Sequence, residues 1–289
     1  MNIKPTILSA IIYLLSLLPF WALYILSDIL CFILYHIVKY RRKIVEENIA
    51  NSFPDKSQKE RKGLERKFYP FLGDLIVENI KMRTMSASQS KKRLKLLNPE
   101  IPLGYLANNQ SVILVSSHYA NWEWGIHSLS IMTDKPSLII YKPLSDKTFG
   151  EIYNKMRSRF GATMVPMKQT LRKIIEYKNR VHTSVFLADQ TPSRSETNYF
   201  IPFLNQETLV FKGIERIAVK TNYPVIYCHI DRVKRGYYNA RFTTLIEEPA
   251  SYAKNEITKI HTQFLERIIQ EKPELWLWSH KRWKHKPHD

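Results

Sequence analysis

From Thr6 to Ser27 the chain carries no charged side chain. Asp28 is the only carboxylate before Glu46, and Ile29 to Val38 is apolar again apart from His36. About 20 apolar residues cross the hydrocarbon core of a bilayer, so this stretch is long enough to anchor the chain in a membrane. Pro19 lacks an N–H and disrupts a helix interior, which predicts two shorter helices and allows a hairpin or re-entrant anchor as well as a single transmembrane helix. A cleavable leader fits less well, because the apolar region is too long and no small-residue cleavage site follows. Lys39, Arg41, Arg42 and Lys43 come immediately after. By the positive-inside rule the rest of the chain lies in the cytoplasm, with Trp21, Tyr24, Tyr35 and Tyr40 as interfacial anchors.

The charge balance asks for an anionic partner. Across 289 residues, 44 Lys and Arg stand against 26 Asp and Glu, a net charge of +18. Such an excess suits nucleic acid or an anionic lipid surface, and the apolar opening favours the lipid. Cys31 and Cys228 are far apart and form no CxxC pair, which fits a reducing compartment. The histidines show no HExxH spacing, so no metal is expected. GxGxxG, P-loop and GxSxG patterns are absent, which disfavours nucleotide binding and an ordinary α/β-hydrolase.

Three regions follow from composition: a membrane anchor over 1–40, a basic helical segment over 41–99, and an α/β domain over 100–289. In the second, Ser57-x-x-Glu60 reads as a capping box, and Lys91-Lys92-Arg93-Leu94-Lys95 is the sharpest basic patch. In the third, strands are expected at 112–116, 137–142, 163–166, 183–188, 224–230 and 238–245. Helices are expected at 121–131, 146–159, 168–178, 212–221 and 255–271. The alternation predicts an α/β fold, a mixed sheet with helices on both faces.

His118 follows the apolar strand Val112-Ile113-Leu114-Val115, and Glu123 comes five positions later. With His118 in a loop and Glu123 in the first turn of a helix, the carboxylate can reach back, fix the ring tautomer and stabilise the imidazolium. Asp189 and Gln190 follow the strand Ser184-Val185-Phe186-Leu187-Ala188. They hold the position on their strand that His118 holds on its own, so the two ends can share a cleft. Arg157 and Arg159 close a predicted helix as planar donors for phosphate or carboxylate, or simply complement its dipole. Gly213 at a helix start lets a ligand approach backbone N–H groups, or serves packing. The tail from Pro273 to Lys284 interleaves aromatic and basic residues. That pattern suits base stacking, a membrane-interface belt, or a last element docked on the core.

In this order, these features make the chain resemble the lysophospholipid acyltransferase superfamily, and within it the bacterial lipid A biosynthesis (late) acyltransferases. The resemblance runs through the anchor, Tyr40-Arg41-Arg42-Lys43, Ser52-Phe53-Pro54, the His118-x4-Glu123 box, Arg157-x-Arg159-Phe160-Gly161, Asp189-Gln190, Gly213 to Ala218, and Trp278 to Lys284. It implies transfer of an acyl chain from a thioester, on acyl carrier protein or coenzyme A, to a hydroxyl of a lipid A precursor at the inner membrane. It gives His118 the role of general base, Glu123 that of its partner, and Arg157 or Arg159 contact with the acceptor's anionic headgroup. Asp189 and Gln190 would shape the site. Ser117 stands before His118 where the glycerophospholipid branch usually has asparagine, and no Glu-Gly-Thr-Arg run occurs, which disfavours that branch. A lyso-aminolipid is the alternative acceptor. A membrane-tethered nucleic-acid-binding protein is the competing class, and it leaves the His118 box unused. No acyl-enzyme is expected, since no serine or cysteine has an evident base beside it.

Overall fold

A computed structural model describes residues 3–287. The apolar opening forms two helices, α1 (Ile3–Leu17) and α2 (Phe20–Phe32), broken at Pro19 as its missing donor requires. A wide helical turn, Ile33–Ile37, extends α2. Left-handed residues Lys39 (φ 49°) and Arg41 (φ 50°) then turn the chain into α3 (Arg42–Ser52). α4 (Gln58–Lys81) starts at the expected capping box, where Ser57 and Glu60 satisfy each other's backbone N–H groups.

α2 lies along α4 with Tyr24 and Ser27 turned inward. Ser27 donates to Asp74 at 2.7 Å and Tyr24 to Glu78 at 2.9 Å. A Cβ at Gly73 would stand 2.9 Å from the Ser27 carbonyl oxygen, so glycine permits this approach. The outward side is apolar, with Trp21 69% and Phe32 58% exposed. Phe20–Ile37 is long and apolar enough to cross a membrane by length and composition.

The body follows as α5 (Ala87–Arg93), β1 (Leu94–Leu96), α6 (Glu100–Ala107), β2 (Val112–Ser116), α7 (Trp122–Met132), β3 (Ser137–Tyr141), α8 (Lys147–Arg157), β4 (Thr163–Pro166), α9 (Thr170–Glu176) and β5 (Thr183–Leu187). It ends with β6 (Phe200–Phe203), β7 (Gln206–Leu209), α10 (Gly213–Thr221), β8 (Val225–Lys234), β9 (Tyr237–Ile246) and α11 (Glu256–Glu271). Seven strands form one sheet in the order β1-β9-β8-β2-β5-β3-β4, while β6 and β7 pair as a separate hairpin. All pairings in the sheet are parallel except β8 with β9. The sheet is therefore mixed, as the alternation predicts. β1 brings the segment 41–99 into the same sheet through its pairing with β9.

Two connections decide where the site lies. β2 leads through α7 to β3, and β5 leads through the hairpin and α10 to β8, on the other side of β2. Right-handed crossovers in opposite directions put α7 and α10 on opposite faces. A crevice opens at the C-terminal ends of β2 and β5, the topological switch point where open α/β sheets hold ligands.

One buried carboxylate ties α2 to this crevice. Glu78 is fully buried and accepts from Tyr24, from Asn121 at 2.6 Å and from Tyr238 at 2.7 Å. Asn121 in turn caps α7 by accepting from the Trp124 N–H at 3.0 Å. Burial pushes the Glu78 carboxyl up to about 7, against the bonds from Tyr238, Asn121 and Tyr24.

Candidate active site

The β2–β5 register builds the centre of the site. Ser116 pairs with Leu187, and the Ala188 N–H continues the ladder to the Ser116 carbonyl at 3.1 Å. His118 and Asp189 each stand two positions beyond that pair, so the register alone makes them neighbours. His118 Nδ1 lies 2.8 Å from Asp189 Oδ1, and the His118 backbone N–H donates to both carboxylate oxygens at 3.0 Å. Burial would raise the Asp189 carboxyl. The His118 ring and the N–H bonds from His118 and Trp276 override it and hold the group at about 2. An ionised carboxylate only accepts, so Nδ1 carries the proton and Nε2 is left as the basic nitrogen.

The carboxylate beside the ring is thus Asp189, where the box spacing pointed to Glu123. Glu123 does sit in the first turn of α7, but its oxygens serve other donors. Arg157 binds it through Nε at 2.8 Å and Nη2 at 2.5 Å, and Trp122 Nε1 donates at 2.8 Å. The loop between the two box residues holds Ala120 in the left-handed region (φ 49°), with its N–H given to the Leu275 carbonyl at 2.9 Å. Burial opposes the charge on both partners of the Glu123–Arg157 fork. Their attraction wins, lowering the Glu123 carboxyl and raising the Arg157 guanidinium.

His118, Arg157 and Gln190 line one cavity of about 300 Å³. Its walls include Ile126, Ile139, Ile140, Phe186, Leu187 and Phe211, and its cations are Arg157, Lys142 and Lys284. A recess of about 20 Å³ under α7 shares Ile126, Ile139, Ile140 and Leu187 and continues to Ile230. Arg159 is elsewhere: it donates to the Met82 and Met85 carbonyls after α4, and so holds backbone rather than facing the cavity. Gly213 starts α10 beside the site, and a Cβ there would stand 2.2 Å from the Phe211 ring. Its glycine makes room for that ring.

The C-terminal tail completes the site, a role composition did not reveal. The Leu277 N–H donates to the His118 carbonyl at 3.1 Å, and Trp276 Nε1 donates to Asp189 Oδ2 at 2.8 Å. His280 accepts from the Thr191 N–H at 3.2 Å, and burial lowers its ring to about 4, which keeps it neutral. Arg282 is buried and donates to the Leu209 carbonyl at 2.8 Å. Trp276, Trp278 and Trp283 are all buried, so the tail is a docked last element and its rings are out of reach of nucleic-acid bases or lipid. The interleaved pattern of the tail was visible in the sequence, but nothing in it showed which partner it meets.

The profile of the family described as bacterial lipid A biosynthesis acyltransferase matches residues 6–285. The chain belongs to this family. It is 22% identical over 259 residues to the lipid A biosynthesis palmitoleoyltransferase of Escherichia coli strain K12, covering 86% of this chain and 81% of that one. It is 24% identical over 255 residues to a lipid A biosynthesis acyltransferase of Haemophilus influenzae, covering 86% and 78%. A lipid A biosynthesis lauroyltransferase of Escherichia coli strain K12 is 20% identical over 280 residues, covering 96% and 90%. As a lipid A biosynthesis acyltransferase, the enzyme moves an acyl chain to a lipid A precursor.

Proposed function

We propose that this acyltransferase takes a fatty acyl chain from a thioester and places it on a hydroxyl of a lipid A precursor, with His118 as general base. One observation carries the reading: a histidine held by a buried carboxylate opens on an apolar cavity that also contains cations.

The steps follow from that geometry. His118 Nε2 takes the proton of the acceptor hydroxyl as its oxygen attacks the thioester carbonyl. Asp189 holds the ring in place and stabilises the imidazolium. The tetrahedral intermediate carries an oxyanion, for which the Gln190 amide in the cavity is a suitable donor. On collapse the C–S bond breaks, and the departing thiolate recovers the proton from His118. The ester C–O bond has formed, and no residue has been acylated. The aliphatic walls suit the acyl chain. Arg157, Lys142 and Lys284 suit a phosphorylated headgroup.

The apolar helices α1 and α2 support action at the membrane. Their outer side chains are apolar, and Lys39, Arg41, Arg42 and Lys43 follow them, which fits the cytoplasmic face of the inner membrane. Acyl carrier protein or coenzyme A would supply the thioester. The test is transfer by purified full-length enzyme in lipid nanodiscs, with product mass measured after incubation with a lipid A precursor and an acyl thioester. The reading expects one added ester-linked chain. An unmodified precursor with a consumed thioester would refute it.

A further inference from the structure

A second groove, of about 250 Å³, adjoins the cavity that holds His118. Met167, Phe186 and Phe211 line both. The groove runs between α9 and α10, and Lys168, Arg216 and Lys220 line it. Lys168 stands in the tight turn that leads into α9 and Arg172 in the first turn of α9, while Arg216 and Lys220 stand four apart on α10, so cations flank the groove on both sides. Leu171 lines the groove and is 44% exposed, and Ile175 and Val219 on the same two helices are 50% and 44% exposed.

The charge on this face is not neutralised locally. None of Lys168, Arg172, Arg216 and Lys220 has an ion pair among the described residues. Glu176, at the end of α9, is bonded to Lys173 at 2.7 Å. Glu215 of α10 is buried and accepts from the Asn255 and Thr258 N–H groups at 2.6 and 2.9 Å. Exposed aliphatics flanked by unpaired cations complement an acidic helical surface with an apolar ridge.

Position selects the kind of partner. The anchor lies on the other face of the sheet: α2 packs along α4, α1 touches α8, and Asn79 of α4 donates to Tyr153 of α8 at 2.9 Å. α9 and α10 therefore lie on the opposite face from the apolar helices α1 and α2. We propose that this face docks a soluble acidic protein that carries the acyl thioester on a flexible arm. The arm passes Met167 and Phe211 to reach His118. This assignment rests on the acyl-transfer reading above.

The test compares two donors with the same acyl chain, acyl carrier protein and acyl-pantetheine, on the full-length enzyme. The variant is Lys168→Glu with Arg216→Glu, both exposed. For the protein donor, KM is expected to rise about tenfold with kcat little changed, and added salt should weaken the wild type in the same way. For acyl-pantetheine, which has no protein body, kinetics should stay at wild-type values. An unchanged KM for the protein donor, or equal loss with both donors, would overturn the assignment. So would loss of binding to anionic vesicles with carrier kinetics intact, which would give the face to the membrane. If wild type acylates the precursor from neither donor, the acyl-transfer reading fails. Docking is then read separately by fluorescence anisotropy of labelled acyl carrier protein. Binding that the variant loses supports the surface, and no binding to wild type rejects it.

Discussion

Asp189 Oδ1 lies 2.8 Å from His118 Nδ1, although 71 positions of chain separate the two residues. Parallel pairing of β2 and β5 makes this contact, because each residue stands at the same offset beyond the Ser116–Leu187 pair. The dyad is a product of register, and it sits where connections leave the sheet for opposite faces.

Asp189→Asn should expose the role of that carboxylate. The amide keeps the shape but removes the charge that favours a protonated Nδ1, so kcat should fall about 10²- to 10⁴-fold. Asp189 titrates at about 2, so it should contribute no acid limb to the activity profile above about pH 4. Kinetics at saturating precursor check both points. Wild-type kcat in the variant would remove Asp189 from the mechanism.

Glu123→Gln should act differently. It breaks a buried fork with Arg157 and leaves a guanidinium without its counter-charge, which costs about 3 kcal/mol of stability. The folded-state pKa of Glu123 is depressed, so this contribution is present above its unfolded pKa and lost as pH falls. Urea unfolding across acid pH should show a smaller pH dependence in the variant. An equal dependence would contradict the pairing.

The two arginines separate by location. Arg157→Ala should raise the acceptor KM, since Arg157 lines the cavity, and should also destabilise, since it leaves buried Glu123 without its partner. Arg159→Ala should leave KM alone and destabilise by about 1–3 kcal/mol, since it frees the Met82 and Met85 carbonyls. Acceptor titrations and melting temperatures decide. A raised KM only in Arg159→Ala would reverse the assignment.

Glu78 predicts a pH effect of opposite sign. Its folded-state pKa is raised to about 7, so its contribution is fully present below the unfolded carboxyl pKa and is lost as pH rises through about 7. The unfolding midpoint should fall between pH 6 and pH 8 by more in wild type than in Glu78→Gln. Parallel curves would show that the carboxyl does not titrate there.

Much of this was legible in the chain. The run Val112–Ser116 is buried throughout, and its unbroken apolar character marked it as an interior strand. Pro19 marked the break between α1 and α2. β1 was not visible, because three residues between Lys92 and Asn98 carry no period. The β6–β7 hairpin was hidden by Pro202 within a four-residue strand. Its turn is written in Leu204 and Asn205, at φ 50° and 58°, as a two-residue connection requires. Strand ends drew attention to both His118 and Asp189, but spacing along one segment favoured Glu123 as the partner. Register between distant strands has no local signature, and neither has the docking of Trp276 on Asp189.

The role of His118 is tested by lipid mass spectrometry on a host strain lacking this gene, complemented with wild type, His118→Ala or Asp189→Asn. Lipid A should lack one acyl chain in the deletion strain. Wild type should restore it, His118→Ala should not, and Asp189→Asn should restore only a small fraction. Full restoration by His118→Ala, at matched protein level, would contradict the assignment of His118 as the base.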